Sequence, residues 1–463
     1  MRGKDLLEKM ELADETYIQA ANMPVKKKKN RKFFKAAAII LIVGGISLLV
    51  HTNYTNINIS TAENFSKYSS LNELLEYLGE NEKHDSTMKG TYSLSATVSG
   101  VDEGNSMDCM YNEYLYHFGS HSGNRTYYEF LQVFNLKEGK LANTIDLAEN
   151  IHSLYYPTIF IYQNKLILVR TSSLSNDNKV FVNIYSLDNP ENPKLEHRYI
   201  QNGGLGAAFI SDDKLYIFTS DGMCACGFSS KSNPDDYKPS ATLDDKEIEW
   251  TDDEITVIGE PERVFYSAVS VIDLQNTEII QKKAFYGDIQ DIYVDKDTVA
   301  LYTKNSFNNF DKPKIDTFDM SDNFSHTSQI TINTLGSTKI NSIRKIGDSY
   351  KIICSTEYIS GSSEMVAISA DIESGKYDSK KYFFTLTTFV DYVTWNENVA
   401  SAALTINHYR KDGFSVTFND SDISFEKTDP PTVQHYDGKS KIFEYDGKKF
   451  YIDYRKNTLE PVQ

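Results

Sequence analysis

The chain has 463 residues and a formal net charge of −17, from 65 acidic and 48 basic side chains. Residues 1–35 hold ten Lys/Arg against five Asp/Glu, which leaves 38 basic and 60 acidic groups in the remainder. So acidic a body lacks the basic footprint of a nucleic-acid binder, and with 31 Tyr and 25 Phe it is too apolar for general disorder.

Leu6, Leu7, Met10 and Ala13 recur at helical spacing near the start. Lys26–Lys32 then places six basic residues in seven, and Phe33–Val50 follows, with the 15 residues Ala36–Val50 unbroken by charge. Phe33, Phe34 and a snorkelling Lys35 extend this run toward the ~20 residues a membrane span needs. A leader this long, with no convincing cleavage site after Val50, reads as a signal anchor rather than a cleaved signal peptide. The basic flank puts the N-terminus in the cytoplasm. The expected organisation is a cytoplasmic tail over 1–32, a transmembrane anchor over 33–51, a juxtamembrane linker over 52–90 and an extracytoplasmic body over 91–463. Asp14–Ala21, with the basic cluster and the Ala-rich run, resembles the leader of many Gram-positive bacterial membrane proteins, which implies the same single-pass location. Within the linker, Ser70–Glu73 is a capping box. Leu71, Leu74, Leu75 and Leu78 line one face of a short helix, and Gly79 is its expected stop.

From Thr91 onward the sequence reads as β. Tyr92, Leu94, Ala96 and Val98 alternate with Ser/Thr, as in a half-buried strand. A turn-then-strand phrase, exemplified by Ile210–Ser220, recurs seven times, with its first strong apolar residue at Leu115, Leu166, Leu215, Val299, Tyr350, Val399 and Phe450. The steps are 51, 49, 84, 51, 49 and 51 residues. In the second period four short strands fit Leu154–Tyr162, Lys165–Arg170, Val180–Leu187 and Lys194–Ile200. Four strands per period of roughly 50 residues is the pattern of propeller blades. The expected fold is all-β, a β-propeller of seven blades, with six or eight as the alternatives because the sixth unit, Asp391–Lys427, is irregular. The long step places an insertion at about 221–263 in the third blade, between its second and third strands. The seventh unit lacks a full outer edge, and Thr91–Ser99 is the expected strand to complete it and close the ring.

Ser99–Glu103, Val182–Pro193, Gly203–Gly204 leading into Ile210–Ser220, Asn233–Pro239, Ser267–Gln281 and Asp291–Thr303 follow one another as in a known group. Over about Thr91–Gly375 the chain resembles the bacterial secreted or membrane-anchored β-propeller domain proteins, distant relatives of WD-repeat propellers. It departs from them at Gly104–Asp108 and over the C-terminal 80 or so residues. The resemblance implies fold and location and carries no catalytic residues.

No motif assigns chemistry. Gly119–Gly123 places His121 where a G-x-S-x-G nucleophile would stand. Ser-x-x-Lys occurs at Ser86–Lys89 and Ser342–Lys345, neither at the head of a helix. His117 and His121 are four apart, but on a strand end rather than a helix face where such ligands converge. The acidic run Asp244–Glu254 lacks the alternation of a calcium loop and reads as a solvated charged segment. Cys224-Ala-Cys226 fits a strained bridge, half a metal site or two thiols, and no further soft ligands lie near it. No catalytic, cofactor-binding or metal-ligating residue is assigned and no cofactor is implied. The reading that fits best is a membrane-anchored extracytoplasmic binding module for a protein, peptide or cell-envelope glycan. A transmembrane regulator docking through Asp5–Ala21 and an envelope enzyme with a site in the propeller channel are the alternatives.

Overall fold

The computed structural model divides the chain into residues 1–54 and residues 55–463. It describes residues 56–60, 66–81, 94, 96–99, 101–122, 127–147, 157–172, 178–223, 233–261, 264–303, 312–333, 337–358, 362–384, 388–406, 410–419, 422–430, 442–453 and 458–462, all in the second unit. The expected tail and anchor, residues 1–51, lie outside the described residues. Among the described residues no helix is long and apolar enough to cross a membrane.

The strands of the described residues fall into seven sheets. Each begins with two strands joined by a two-residue turn, and the first turn residue is left-handed in all seven: Asn112, Gln163, Asp212, Lys296, Gly347, Glu397 and Asp446, with φ between 46° and 59°. Left-handed turn residues match the right-handed twist of the flanking strands, which fixes the register of each hairpin. This hairpin is the recurring phrase of the sequence. Its register shifts two anchors by one residue: Ala400, opposite Trp395, is the sixth-sheet equivalent of Leu215, and Lys449, opposite Glu444, the seventh-sheet one. In the seventh sheet Phe450 faces the opposite side from that position, into the core shared with the first sheet.

The first sheet comprises Asp108–Tyr111, Tyr114–Ser122, Tyr127–Asn135 and Lys140–Asp146. The second has Thr158–Tyr162, Lys165–Ser172, Lys179–Ser186 and Lys194–Asn202. In the third, Gly204–Ser211 and Lys214–Met223 precede the insertion, and Val264–Asp273 and Glu278–Tyr286 follow it. Ile289–Asp295, Thr298–Thr303, Lys314–Asp319 and Ser325–Asn333 make the fourth. The fifth spans Ser337–Phe384 and the sixth Thr388–Thr428, each with four strands; the seventh has Ile442–Tyr445, Lys448–Asp453 and Thr458–Pro461. Neighbouring sheets bury apolar residues against each other in order from first to sixth, and the seventh packs on the first through Leu115, Phe134, Phe443 and Phe450. First strands of adjacent sheets approach one another, so they are the inner ones. This is the β-propeller arrangement.

Ala96–Ser99 does not complete the seventh sheet. It pairs in parallel with Ile292–Asp295, on the inner edge of the fourth sheet. The segment then crosses the third sheet through the Asp102–Ile210 bridge and pairs Asn105–Ser106 with the first strand of the second. The reason is apolar: Leu94, Ala96, Val98 and Val101 pack on the cluster between the third and fourth sheets, with Phe209 and Val294. Gly206 makes this approach feasible. It sits at a register shift in the third sheet's first strand, and a Cβ there would lie 2.9 Å from the Leu94 carbonyl oxygen.

The linker is part of the body. Asn56–Ser60 adds an antiparallel strand to the outer edge of the fourth sheet. Helix α1, Leu71–Asn81, buries Leu71, Leu74, Leu75 and Leu78 against Val257, Val264, Tyr266 and Tyr286 on the third sheet. The Glu73 amide donates to Ser70 Oγ, but the Glu73 carboxylate accepts from Ser69 rather than Ser70. Gly79 does not stop the helix, which runs two residues further.

Leu75→Ala therefore costs about 2–5 kcal/mol of stability, as for a fully buried leucine, measured by chemical denaturation of residues 55–463. Gly206→Ala costs about 1–3 kcal/mol through overpacking, seen as a lowered Tm; an unchanged Tm would mean that Leu94 does not pass over Gly206.

Candidate functional site

The insertion is where the repeat departs from itself, and residues 233–261 of it are ordered by identifiable ties. Asn233 caps a short 3-10 turn, Pro234–Tyr237, accepting the Asp235 amide. Ala241–Leu243 and Lys246–Ile248 form a hairpin whose turn residues, Asp244 and Asp245, are both left-handed, as an Asp-Asp pair tolerates. The hairpin is added to the outermost strand of the second sheet. Asp244 clamps it, accepting hydrogen bonds from His197 Nδ1 and the Arg198 amide, each at 2.8 Å. Burial opposes ionisation of Asp244, but these bonds outweigh it and hold the carboxyl below its ordinary range.

A second 3-10 turn, Asp252–Glu254, opens on a Thr251/Glu254 capping box. Ile255–Val257 then pairs in parallel on the outer strand of the third sheet. The insertion so straddles the outer edges of two sheets. Lys282 ties it down by donating to Glu254 Oε1 at 2.6 Å, and the Tyr286 hydroxyl donates to the Tyr237 carbonyl at 2.6 Å.

Between the two turns and the hairpin lies an open cleft of about 750 Å³. Asp235, Glu247, Glu249 and Asp252 give it an acidic lining, and Ala241, Ile248 and Trp250 its apolar part. Lys238 joins its sides, 2.8 Å from Asp235 and 2.9 Å from Asp252. Burial lowers the affinity of Lys238 for its proton, but the two carboxylates outweigh that and hold its pKa above the ordinary value. With four carboxylates and one ammonium, the lining carries a formal surplus of three negative charges, which favours cationic or hydrogen-bond-donating groups.

The inner ends of the sheets carry a second set of polar residues. Register shifts recur at the same place in four first strands, at Gly206, Gln290, Asn341 and Asp391. Such bulges re-aim side chains. Beside one of them Asp291 is half-buried, and burial pushes its pKa up to about 6, with Lys339 pulling it back. It is a single carboxyl: among the described residues no group of three or more His, Cys, Asp or Glu is placed to hold a metal ion.

The model for the beta propeller domain matches residues 95–343, more than half of the chain. The chain belongs to the beta propeller domain family. No curated protein matches the sequence. Among solved structures the propeller is similar to Hsv2 of Kluyveromyces lactis, at 11% identity and a TM-score of 0.33, over 73% of this chain and 100% of that one. It is also similar to the β-propeller domain of the Trilobed protease from Pyrococcus furiosus, at 11% identity and a TM-score of 0.33, over 80% and 93% of the two chains. Sqt1 of Saccharomyces cerevisiae is similar at 9% identity and a TM-score of 0.30, over 80% and 98%.

The propeller disperses the residues that the sequence singled out. His117 is buried 2.6 Å from Asp108, within the first sheet. Ser342 accepts from Trp395 Nε1 at 2.8 Å, and the Lys345 amide donates to Asp295, so this Ser-x-x-Lys is part of the packing between sheets. The run Asp244–Glu254 is divided between the hairpin turn, a strand and a 3-10 turn. Cys109 and Cys354 are buried; Cys224, Cys226 and Ser86–Lys89 lie outside the described residues. Trp250 and Lys238, the joints of the cleft, carried no sequence signal, since their roles depend on two turns meeting in space.

Because Asp291 takes up its proton more readily folded than unfolded, its burial weakens the fold as pH rises from about 4 through about 6. Asp291→Asn should therefore raise Tm at pH 7.5 and leave it nearly unchanged at pH 4. An equal gain at both pH values would remove the charge from the explanation.

Proposed function

We propose that this protein is a seven-bladed propeller acting as an extracytoplasmic binding module. The anchor at residues 33–51 holds it to a bacterial cell membrane, as the apolar run, its basic flank and the family resemblance together suggest. The ligand is a protein, peptide or cell-envelope glycan that presents cationic or hydrogen-bond-donating groups, and nucleic acid is not among the partners. The observation that carries this reading is the rim cleft. A repeat that otherwise returns every 49–51 residues is interrupted once, by a step of 84, and the extra chain supports an acidic recess on the outer edge of the ring. A binding surface on a rigid scaffold is what such an insertion supplies. No cofactor enters this reading.

The test is capture from cell-envelope fractions by residues 55–463, a boundary that keeps the Asn56–Ser60 strand. The comparison is a variant with Asp235→Asn, Glu247→Gln, Glu249→Gln and Asp252→Asn. Capture by the parent should weaken as salt rises and fall at least about tenfold in the variant, as loss of several charge-assisted contacts requires. Equal capture by both proteins would move the binding surface away from the cleft. A parent that captures nothing would count against the binding-module reading itself.

A further inference from the structure

Trp250 belongs to two settings at once. It lines the rim cleft, and it is 5% exposed within the apolar cluster that helix α1 forms on the third sheet. The linker brings Tyr68 and the four leucines of α1 to that cluster. The insertion brings Trp250 and Val257, with Tyr237 and Ile255 half-buried against them. Tyr237 ends the first 3-10 turn and Ile255 directly follows the second. Helix α1 approaches both the Pro234–Tyr237 turn and the Ile255–Val257 strand. The two turns carry Asp235 and Asp252, the walls that Lys238 joins.

A second tie joins the linker to the end of the insertion. Ser66 bridges Gly259 in parallel, and the Lys67 amide donates to the Gly259 carbonyl at 3.1 Å. Lys67 Nζ lies 3.6 Å from Glu260 and 4.9 Å from the centre of the Tyr77 ring on α1. The chain entering the helix therefore holds the helix and the insertion together. The third wall of the cleft is supported differently. The hairpin Ala241–Ile248 pairs with the second sheet, against which Ala241 is buried, and Asp244 clamps it to His197 and Arg198.

We infer that helix α1 is the positioning element of the rim cleft: the two turn walls stand only while α1 is docked, and the hairpin wall stands without it. Shared burial is what couples them. Undocking α1 exposes Trp250 and Val257 together with the leucines, so the apolar cost falls on helix and insertion at once. The two then open as one local unit. Such coupling is reciprocal. A ligand in the recess holds α1 down, and a partner that takes the leucine face of α1 dissolves the recess. The consequence for ligands rests on the rim cleft being the binding surface, whereas the coupling itself is measured with no ligand.

Hydrogen exchange of the full chain, read by mass spectrometry, tests this. Leu74→Asn and Leu75→Asn, made together, place amides where the parent has fully buried leucines, which undocks the helix without changing the net charge. Protection in Leu71–Asn81 should fall at least about tenfold. Protection over 249–258, where the Glu254 and Ile258 amides donate to the Thr251 and Tyr286 carbonyls, should fall with it, while the hairpin and the fifth sheet stay protected. Loss in α1 with 249–258 unchanged would overturn the inference, as would no loss in either. Loss throughout the fifth sheet would also overturn it, by making α1 a part of global stability. Trp250→Ala is the reverse test: it leaves the helix sequence untouched and should still lower protection in α1 at least about tenfold. An α1 that keeps its parent protection there would break the coupling. Capture from cell-envelope fractions separates this inference from the binding reading. With every lining carboxylate retained, the leucine variant should capture at least about tenfold less. Coupled exchange with undiminished capture would uphold the coupling and move the binding surface away from the cleft.

Discussion

The sheets of this protein are stable because neighbouring sheets cover their apolar faces. A strand pair alone is marginal in water, and the apolar side chains of one sheet are buried only when a neighbour supplies the opposing wall. Val269 and Val271 meet Val294 and Leu301 in one such wall, and Ile330, Ile340 and Ile352 meet in the next. The arrangement is cooperative around the series. Packing, rather than the repeat itself, decides which parts of the ring are rigid.

Faces are covered by neighbours, but edges need separate provision, because an unpaired strand edge invites association. The protein provides it unevenly. The segment from Leu94 to Ser106 lies along the inner edges of the fourth, third and second sheets in turn. Their outer edges receive Asn56–Ser60, Ile255–Val257 and the Ala241–Ile248 hairpin. These three sheets are thus bordered on both sides, and the rim cleft stands on the best-supported part of the ring. Support beneath the rim cleft follows from the placement of these four short segments.

Much of the fold was legible from residues. The seven hairpins announced themselves because a two-residue turn with a left-handed first position restricts composition to Asn, Asp, Gly and a few polar residues, followed by a strand rich in aliphatic and aromatic residues. The insertion was legible as an arithmetic break in the period. The leucines of α1 were legible as a face, though not the two further residues past Gly79, since glycine in a packed helix costs only about 1 kcal/mol. The path of Ala96–Ser99 was not legible. Its alternation says that one face is apolar, and both the open edge of the seventh sheet and the wedge between the third and fourth would accept it. Gly206 and the neighbouring aromatic side chains decide between them, and they are more than a hundred residues away in sequence.

By itself, then, the sequence determined the local structure: which residues turn, which run as strands, which face of each strand is apolar, and where the array is interrupted. Those properties depend on backbone sterics and on hydrophobic alternation within a few residues. Only the tertiary structure decided which edge each free strand joins and that Lys238 bridges two turns across a cleft. Each of these is a relation between segments distant in sequence, fixed by the fit of side chains across a gap, and no local pattern encodes that fit.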